Sequence, residues 1–96
     1  ATQSLAKRLL EESAASDDER LTRAWRQSVA RPPTGGEIAA LAELLAKSRA
    51  VFEADLPAAK EAVGTHVAKD VEIAENAAWV ATLRVVLNLD EFVTRE

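Results

Sequence analysis

Hydrophobic residues recur at helical spacing through most of this chain. In the first segment Leu5, Ala6, Leu9 and Leu10 fall on one side of a helix that we expect to end near Ser13. A second segment separates its apolar and charged positions in the same way. Its inward positions are Leu21, Trp25, Ser28 and Val29, and its outward positions are Arg20, Arg23, Arg26 and Gln27.

Start and stop signals lie at the ends of these segments. Residues 16–19 have the form of a capping box, in which the Ser16 hydroxyl accepts from the Glu19 amide and the Glu19 side chain reaches back to the Ser16 amide. The segment Arg31-Pro32-Pro33 ends the second helix, because a residue before proline disfavours the helical region. Residues 34–37, Thr-Gly-Gly-Glu, repeat the capping pattern and start a third helix.

The third helix has the clearest apolar pattern in the chain. Asp55 as a cap and Pro57 in a first turn then predict a short fourth helix, which runs to about Val63 and is ended by Gly64. Residues 64–70 are predicted to form a loop. The inward face predicted for the third helix consists of Ile38, Leu41, Leu44, Leu45, Ser48, Val51 and Phe52.

The last helix is predicted to begin between Val71 and Ile73 and is the most apolar segment. We expect it to end at Asn88, since Asn tolerates the left-handed conformation, and Phe92 and Val93 then fold back on the core. The chain is thus predicted to be one all-α domain over residues 1–96, a small bundle of four to five helices. The apolar positions of its last helix are Trp79, Val80, Leu83, Val86 and Leu87.

Composition narrows the classes of function. The net charge of -4 and the pI near 5.0 argue against a nucleic-acid partner, which normally meets a basic surface. The chain has no cysteine, so it contains neither a disulfide nor a thiolate nucleophile nor the Cys-x-x-Cys-His site of a c-type haem. No apolar run is long enough for a membrane span.

The side chains that carry chemistry form no recognisable catalytic or metal-binding pattern. His66 is the only histidine, and Glu61 precedes it by five residues rather than the three of a Glu-x-x-His pair. Ser16 is explained as a cap, and the acidic runs at 11–12 and 17–19 as solvated faces or helix starts. We therefore expect no catalytic residue, no metal ligand and no bound cofactor. The serines at positions 4, 13, 16, 28 and 48 have no motif around them.

Two basic features leave alternatives open. The arginines at positions 20, 23, 26 and 31 either bind an anionic surface or phosphate, or form surface pairs such as Glu19 with Arg23. Arg84 lies within one turn of the expected helix end. We expect it to pair with Asp90 or Glu91 once the chain has turned.

Two groups of residues resemble a known family. The segment Arg31-Pro32-Pro33-Thr34 with Glu37 is similar to an Arg-x-Pro-Thr-x-x-Glu motif in the C-terminal domain of unknown function of large planctomycete-type cytochrome proteins. Ala77-Ala78-Trp79, followed by Arg84 and by residues 87–92, is similar to the Ala-Ala-Trp to Asn-Leu-Asp-Glu-Phe ending of that domain. Together the two motifs cover most of residues 17–96.

The resemblance implies a cellular context. In that family the full-length protein is secreted, has a cytochrome-c-like region near its N-terminus and ends in this helical domain, for which no catalytic residues are established. We therefore expect a non-catalytic structural or interaction module at the C-terminus of an extracytoplasmic protein. Its partners are expected to be other domains of that protein or a separate protein, with the oligomeric state left open.

Two other functions stay open at this stage. One is a stand-alone module that binds or oligomerises through an uncovered apolar face. The other is an accessory subdomain of a hydrolase, which contributes a carboxylate such as Asp90 or Glu91 to a neighbouring active site.

Overall fold

Five helices and no strand make up the described part of the chain, which confirms the predicted all-α bundle. The computed structural model describes residues 2–12, 16–29 and 31–94, with side chains up to residue 88. The helices are α1 (Thr2–Glu11), α2 (Asp17–Ser28), α3 (Gly35–Ala54), α4 (Leu56–Val63) and α5 (Ile73–Thr94). The first helix ends at Glu11, and Ser13 lies outside the described residues.

The predicted helix starts are confirmed. The Ser16 hydroxyl accepts from the Glu19 amide at 3.2 Å, although the Glu19 carboxylate accepts from that hydroxyl rather than from the Ser16 amide. Thr34 and Glu37 form the complete capping box, with amide-to-oxygen distances of 2.9 and 3.1 Å. The carboxylate of Asp55 accepts from the Ala58 amide at 3.2 Å and so caps α4. These contacts satisfy amides that have no partner within the first turn.

Helix α5 lies at the centre of the bundle. Each of the other four helices contacts it, so it has no single solvent face over its first half. This explains why its sequence is apolar on all sides, as expected of a helix surrounded by protein. Its buried residues are Ala74, Asn76, Ala77, Ala78, Trp79, Val80, Thr82, Leu83 and Val86.

The core joins one face of each outer helix to α5. Trp25 and Trp79 are its largest fully buried side chains. Burying an aromatic or aliphatic side chain of this size stabilises a fold by roughly 1.5–3 kcal/mol. On the other side, α4 packs against Ala77 through Ala59 and Val63, and the small side chains allow the two helices to approach closely.

A loop over residues 64–72 connects α4 to α5; it includes the predicted loop over residues 64–70 and two further residues. Gly64 ends α4 with φ 65° and ψ -133°, a backbone conformation that residues with a Cβ atom rarely adopt. The loop is attached to α5 through Asn76, whose buried carboxamide oxygen accepts from the Ala68 amide at 2.7 Å. The apolar Ala68 is buried at this point.

Two predictions about helix faces were wrong. Val51 is 60% exposed, because the buried face of α3 is centred on Leu45 and Phe52 and leaves position 51 about 120° away around the helix. Arg20 was assigned to the outward face of α2 but is partly buried, with its Nε shielded from solvent.

The predicted end of the last helix was also wrong. Helix α5 continues through Asn88 to Thr94. Residues 89–94 contain neither Gly nor Pro, so nothing in them ends the helix. Asn within a helix costs well under about 1 kcal/mol relative to Ala, and Asn88 is therefore helical rather than left-handed. The expected return of Phe92 and Val93 concerns side chains outside the described residues.

Substitutions at Asn88 test whether this position is helical. In a helix, Asn88→Ala is expected to stabilise the protein by a few tenths of a kcal/mol, and Asn88→Gly to destabilise it by up to about 0.5 kcal/mol. Urea unfolding of both variants measures the difference. At a left-handed helix end the order reverses, since Gly is favoured there. A more stable Gly variant would therefore place the end of α5 at Asn88.

Candidate functional site

The main polar cluster of the structure links three helices through Arg49. Its guanidinium donates from Nε and Nη2 to the two carboxylate oxygens of Glu75, both at 2.6 Å. It also donates from Nη1 and Nη2 to Asp17, at 2.9 and 3.0 Å. Glu75 in addition accepts from Trp79 Nε1 at 2.9 Å. We call Asp17, Arg49, Glu75 and Trp79 the Arg49 cluster.

The positions of these groups follow from the helices. Asp17 is the first residue of α2, and Glu75 lies in the first turn of α5, where carboxylates interact favourably with the helix dipole. Arg49 extends from the buried face of α3 between them. The bonds to Glu75, and then those to Asp17, raise the pKa of Arg49 above its ordinary value. The cluster therefore holds one cation between two carboxylates and joins α2, α3 and α5.

A second cluster holds the connection between α2 and α3. Arg31 donates from Nη1 and Nη2 to the two oxygens of Glu37, at 2.8 and 2.6 Å. Its guanidinium carbon lies 5.1 Å from the centre of the Trp25 ring, and its carbonyl accepts from Trp25 Nε1 at 2.8 Å. Together with Thr34, these residues form what we call the Arg31 cluster.

Electrostatics in the Arg31 cluster favour the ionised carboxylate. The Arg31 guanidinium, followed by the Thr34 amide, lowers the pKa of Glu37 to about 2. The same pair raises the pKa of Arg31. Because Glu37 also completes the cap of α3, one carboxylate both starts this helix and fixes the turn before it.

The three arginines of α2 itself, at positions 20, 23 and 26, do not gather into one basic site. The predicted surface pair of Glu19 with Arg23 was wrong in its carboxylate: Arg23 Nη1 lies 3.6 Å from Glu12 Oε1 instead. Arg26 lines an open groove of about 720 Å³ between α2 and α3, together with residues that include Ile38 and Ala42. Arg20 lines a different groove, near Lys69.

Other sequence candidates lie apart from one another. His66 is exposed in the loop between α4 and α5. Among the described residues, no group of three or more His, Cys, Asp or Glu side chains is arranged to hold a metal ion. Ser48 is buried on α3, while Ser16 acts as the predicted cap. None of the helices in the described ranges is both long enough and apolar enough to cross a bilayer.

The predicted pairing of Arg84 depended on a turn that the backbone does not make. Arg84 is exposed on α5, which stays helical beyond Asn88. The side chains of Asp90 and Glu91 lie outside the described residues, so their contribution to a hydrolase site stays a prediction.

Sequence reasoning missed Arg49, Glu75 and Asn76. A signal for Arg49 was present, since this charged residue lies four positions after Leu45 and three before Phe52, on the apolar face of α3. A cation in that position needs a carboxylate partner nearby. Asn76 gave a comparable signal, as a polar residue three positions before Trp79 and four before Val80, on the predicted apolar face of the last helix. Its Nδ2 is buried and meets no acceptor within the described part of the chain.

Comparisons of the chain with models of protein families, with curated proteins and with solved structures give no match.

Removal of the Arg49 cation is expected to destabilise the bundle. Arg49→Met keeps the length of the side chain but leaves Asp17 and Glu75 facing each other without a cation, at an expected cost of about 1–3 kcal/mol. Chemical denaturation measures this cost. The matched control is Lys47→Ala on the same helix, which breaks an ion pair that is 72% exposed on its Lys side and should cost less than about 0.5 kcal/mol. Equal losses in both variants would show that the Arg49 cluster does not hold the helices together.

The lowered pKa of Glu37 predicts a pH dependence. Since the folded pKa of about 2 lies below the unfolded value, the stabilisation by Glu37 is present above about pH 4.5 and is lost as the pH falls toward 2. An NMR titration of the Glu37 carboxyl should give a midpoint near 2. Arg31→Gln should move this midpoint upward, and the control Arg23→Gln should not. A wild-type midpoint near the ordinary Glu value would contradict the proposed ion pair.

Proposed function

We propose that this chain is a non-catalytic helical module at the C-terminus of a larger, extracytoplasmic cytochrome-type protein. Its role is to pack against other domains of that protein or against a separate protein partner. Nucleic acid is not among its proposed partners, since the chain is acidic.

The role of the motif residues supports this proposal. Arg31, Thr34 and Glu37, which carry the first half of the resemblance, bond to one another and hold the turn between α2 and α3. Trp79, from the second half, is buried in the core and donates to Glu75. These residues act on neighbouring helices of their own domain, as expected for a motif that specifies a fold rather than a reaction.

The two small side chains before Trp79 fit the same interpretation. Ala77 and Ala78 are fully buried and, about 100° apart around α5, face different neighbours: Ala77 packs against α4 and Ala78 lies in the main core. A larger side chain at either position overpacks a close helix contact. Each residue of the Ala-Ala-Trp motif thus has a packing role in the described structure.

The coding sequence upstream of Ala1 provides the first test. A reading frame that continues upstream and encodes a Cys-x-x-Cys-His motif supports the assignment to a cytochrome-type protein. An immediate start codon at this point contradicts it.

A deletion in the full-length protein then tests the non-catalytic role. Deletion of this module from the full-length protein should leave the haem spectrum and the electron-transfer rate of the remaining domains unchanged. The same deletion should lower the thermal stability of those domains. The control variant is Arg31→Gln in the intact protein, which should lower the stability in the same direction but less. Loss of electron transfer from a deletion protein that remains folded would show that the module takes part in the chemistry.

A further inference from the structure

The outer face of α3 has no partner within the described part of the chain. The inner face of this helix packs against α5 through Leu41, Leu45 and Ser48. The opposite side is exposed along the whole helix although it carries few charges. We call this side the α3 outer face; it consists of Gly36, Ala39, Ala40, Glu43, Lys47, Ala50, Val51 and Ala54.

The composition of this face differs from that of an ordinary solvent face. A helix on the surface of a protein usually places charged and polar residues outward. Here an exposed valine, Val51 at 60% exposure, accompanies a row of small residues, and one ion pair of Glu43 with Lys47 at 3.2 Å lies at the middle. The apolar surface also continues sideways, because Ala39 lines the groove between α2 and α3.

The α3 outer face is complementary in charge and in side-chain size to a second copy of the same face that runs in the opposite direction. A two-fold axis perpendicular to α3 at the level of Leu45 brings Glu43 of one copy to the level of Lys47 of the other, and the reverse. The same operation brings Ala40 of one copy to the level of residues 50 and 51 of the other. Opposite charges therefore meet at the centre, and each Val51 meets a small side chain.

We propose that two copies of this chain associate through their α3 outer faces, with the two helices antiparallel. The occupant of the face is a second copy because the charges of the face are satisfied by the reversed face itself. In an isologous contact of this kind both ion pairs form at once. Association of two copies goes beyond the proposed function, since it needs no other domain.

The size of the face sets the expected strength. A helix of 20 residues is about 30 Å long, and a contact roughly 10 Å wide buries on the order of 300 Å² on each copy. Interfaces of this size belong to weak or transient complexes, so we expect a dissociation constant of roughly 100 µM.

Sedimentation velocity on the purified chain tests the association. Between about 20 µM and about 1 mM the average mass should rise from the monomer value of 10.4 kDa toward twice that value. A monomer mass throughout this range overturns the proposal and leaves the face to another occupant. This result would not bear on the role within a cytochrome-type protein.

Charge reversal tests the geometry. Glu43→Lys and Lys47→Glu each place like charges across the contact and should weaken association about tenfold. The double variant restores both the pair within the helix and the pair between copies, so its association should return to within about twofold of the original. The control Glu61→Lys makes the same charge change on an exposed position of α4 and should leave association unchanged.

Two further measurements keep these results interpretable. All four proteins should melt within about 2 °C of the original at low concentration, because the substituted side chains are exposed. Amide chemical shifts that change on dilution should map to residues 36–54. Dilution shifts confined to other helices, or a double variant as weak as the single ones, overturn the proposed arrangement.

Discussion

The burial of the first half of α5 is the constraint on which the rest of the structure depends. Because four helices contact this one, the partners available to its buried polar side chains lie inside the bundle, and Asn76 Nδ2 meets none within the described residues. Thr82 donates to the Ala78 carbonyl within the helix at 2.9 Å, and Asn76 accepts from the loop at Ala68. Every outer helix then needs only one apolar face, which is why α1 and α2 have clearly amphipathic sequences and α5 does not.

Apolar contact brings the outer helices against α5, but it does not determine their orientation. Helix α2 is held at both ends by guanidinium groups: Asp17 at its start bonds to Arg49, and Trp25 near its end lies under Arg31. Both arginines are partly exposed, with 29% and 50% of their side chains accessible, so the net energy of each contact is modest. The bidentate geometry has a larger effect on which way α2 lies, since each carboxylate is met at two atoms.

Local signals were predictable from the sequence, and contacts between distant segments were not. The caps at Ser16, Thr34 and Asp55 depend on residues within one turn, so their motifs predicted the helix starts correctly. The partners of Arg49 lie 32 and 26 residues away, where spacing carries no information about distance. The prediction that α5 ends at Asn88 was wrong for a different reason. Asn is compatible with both a helix interior and a helix end, and the residues that follow it include no Gly or Pro to end the helix.

The distinction between inward and outward roles also bears on function. A residue such as Glu37, which caps α3 and pairs with Arg31, is constrained by the fold alone, and its presence in a motif says nothing about a ligand. The outer face of α3 is free of that constraint, because the core is complete without it. Its alanines and the exposed Val51 are not needed for packing within the described chain. Charged residues at these positions would favour solubility more than the apolar residues that occupy them. An apolar surface that the fold does not require is therefore the part of this molecule where an interaction is the simplest physical explanation.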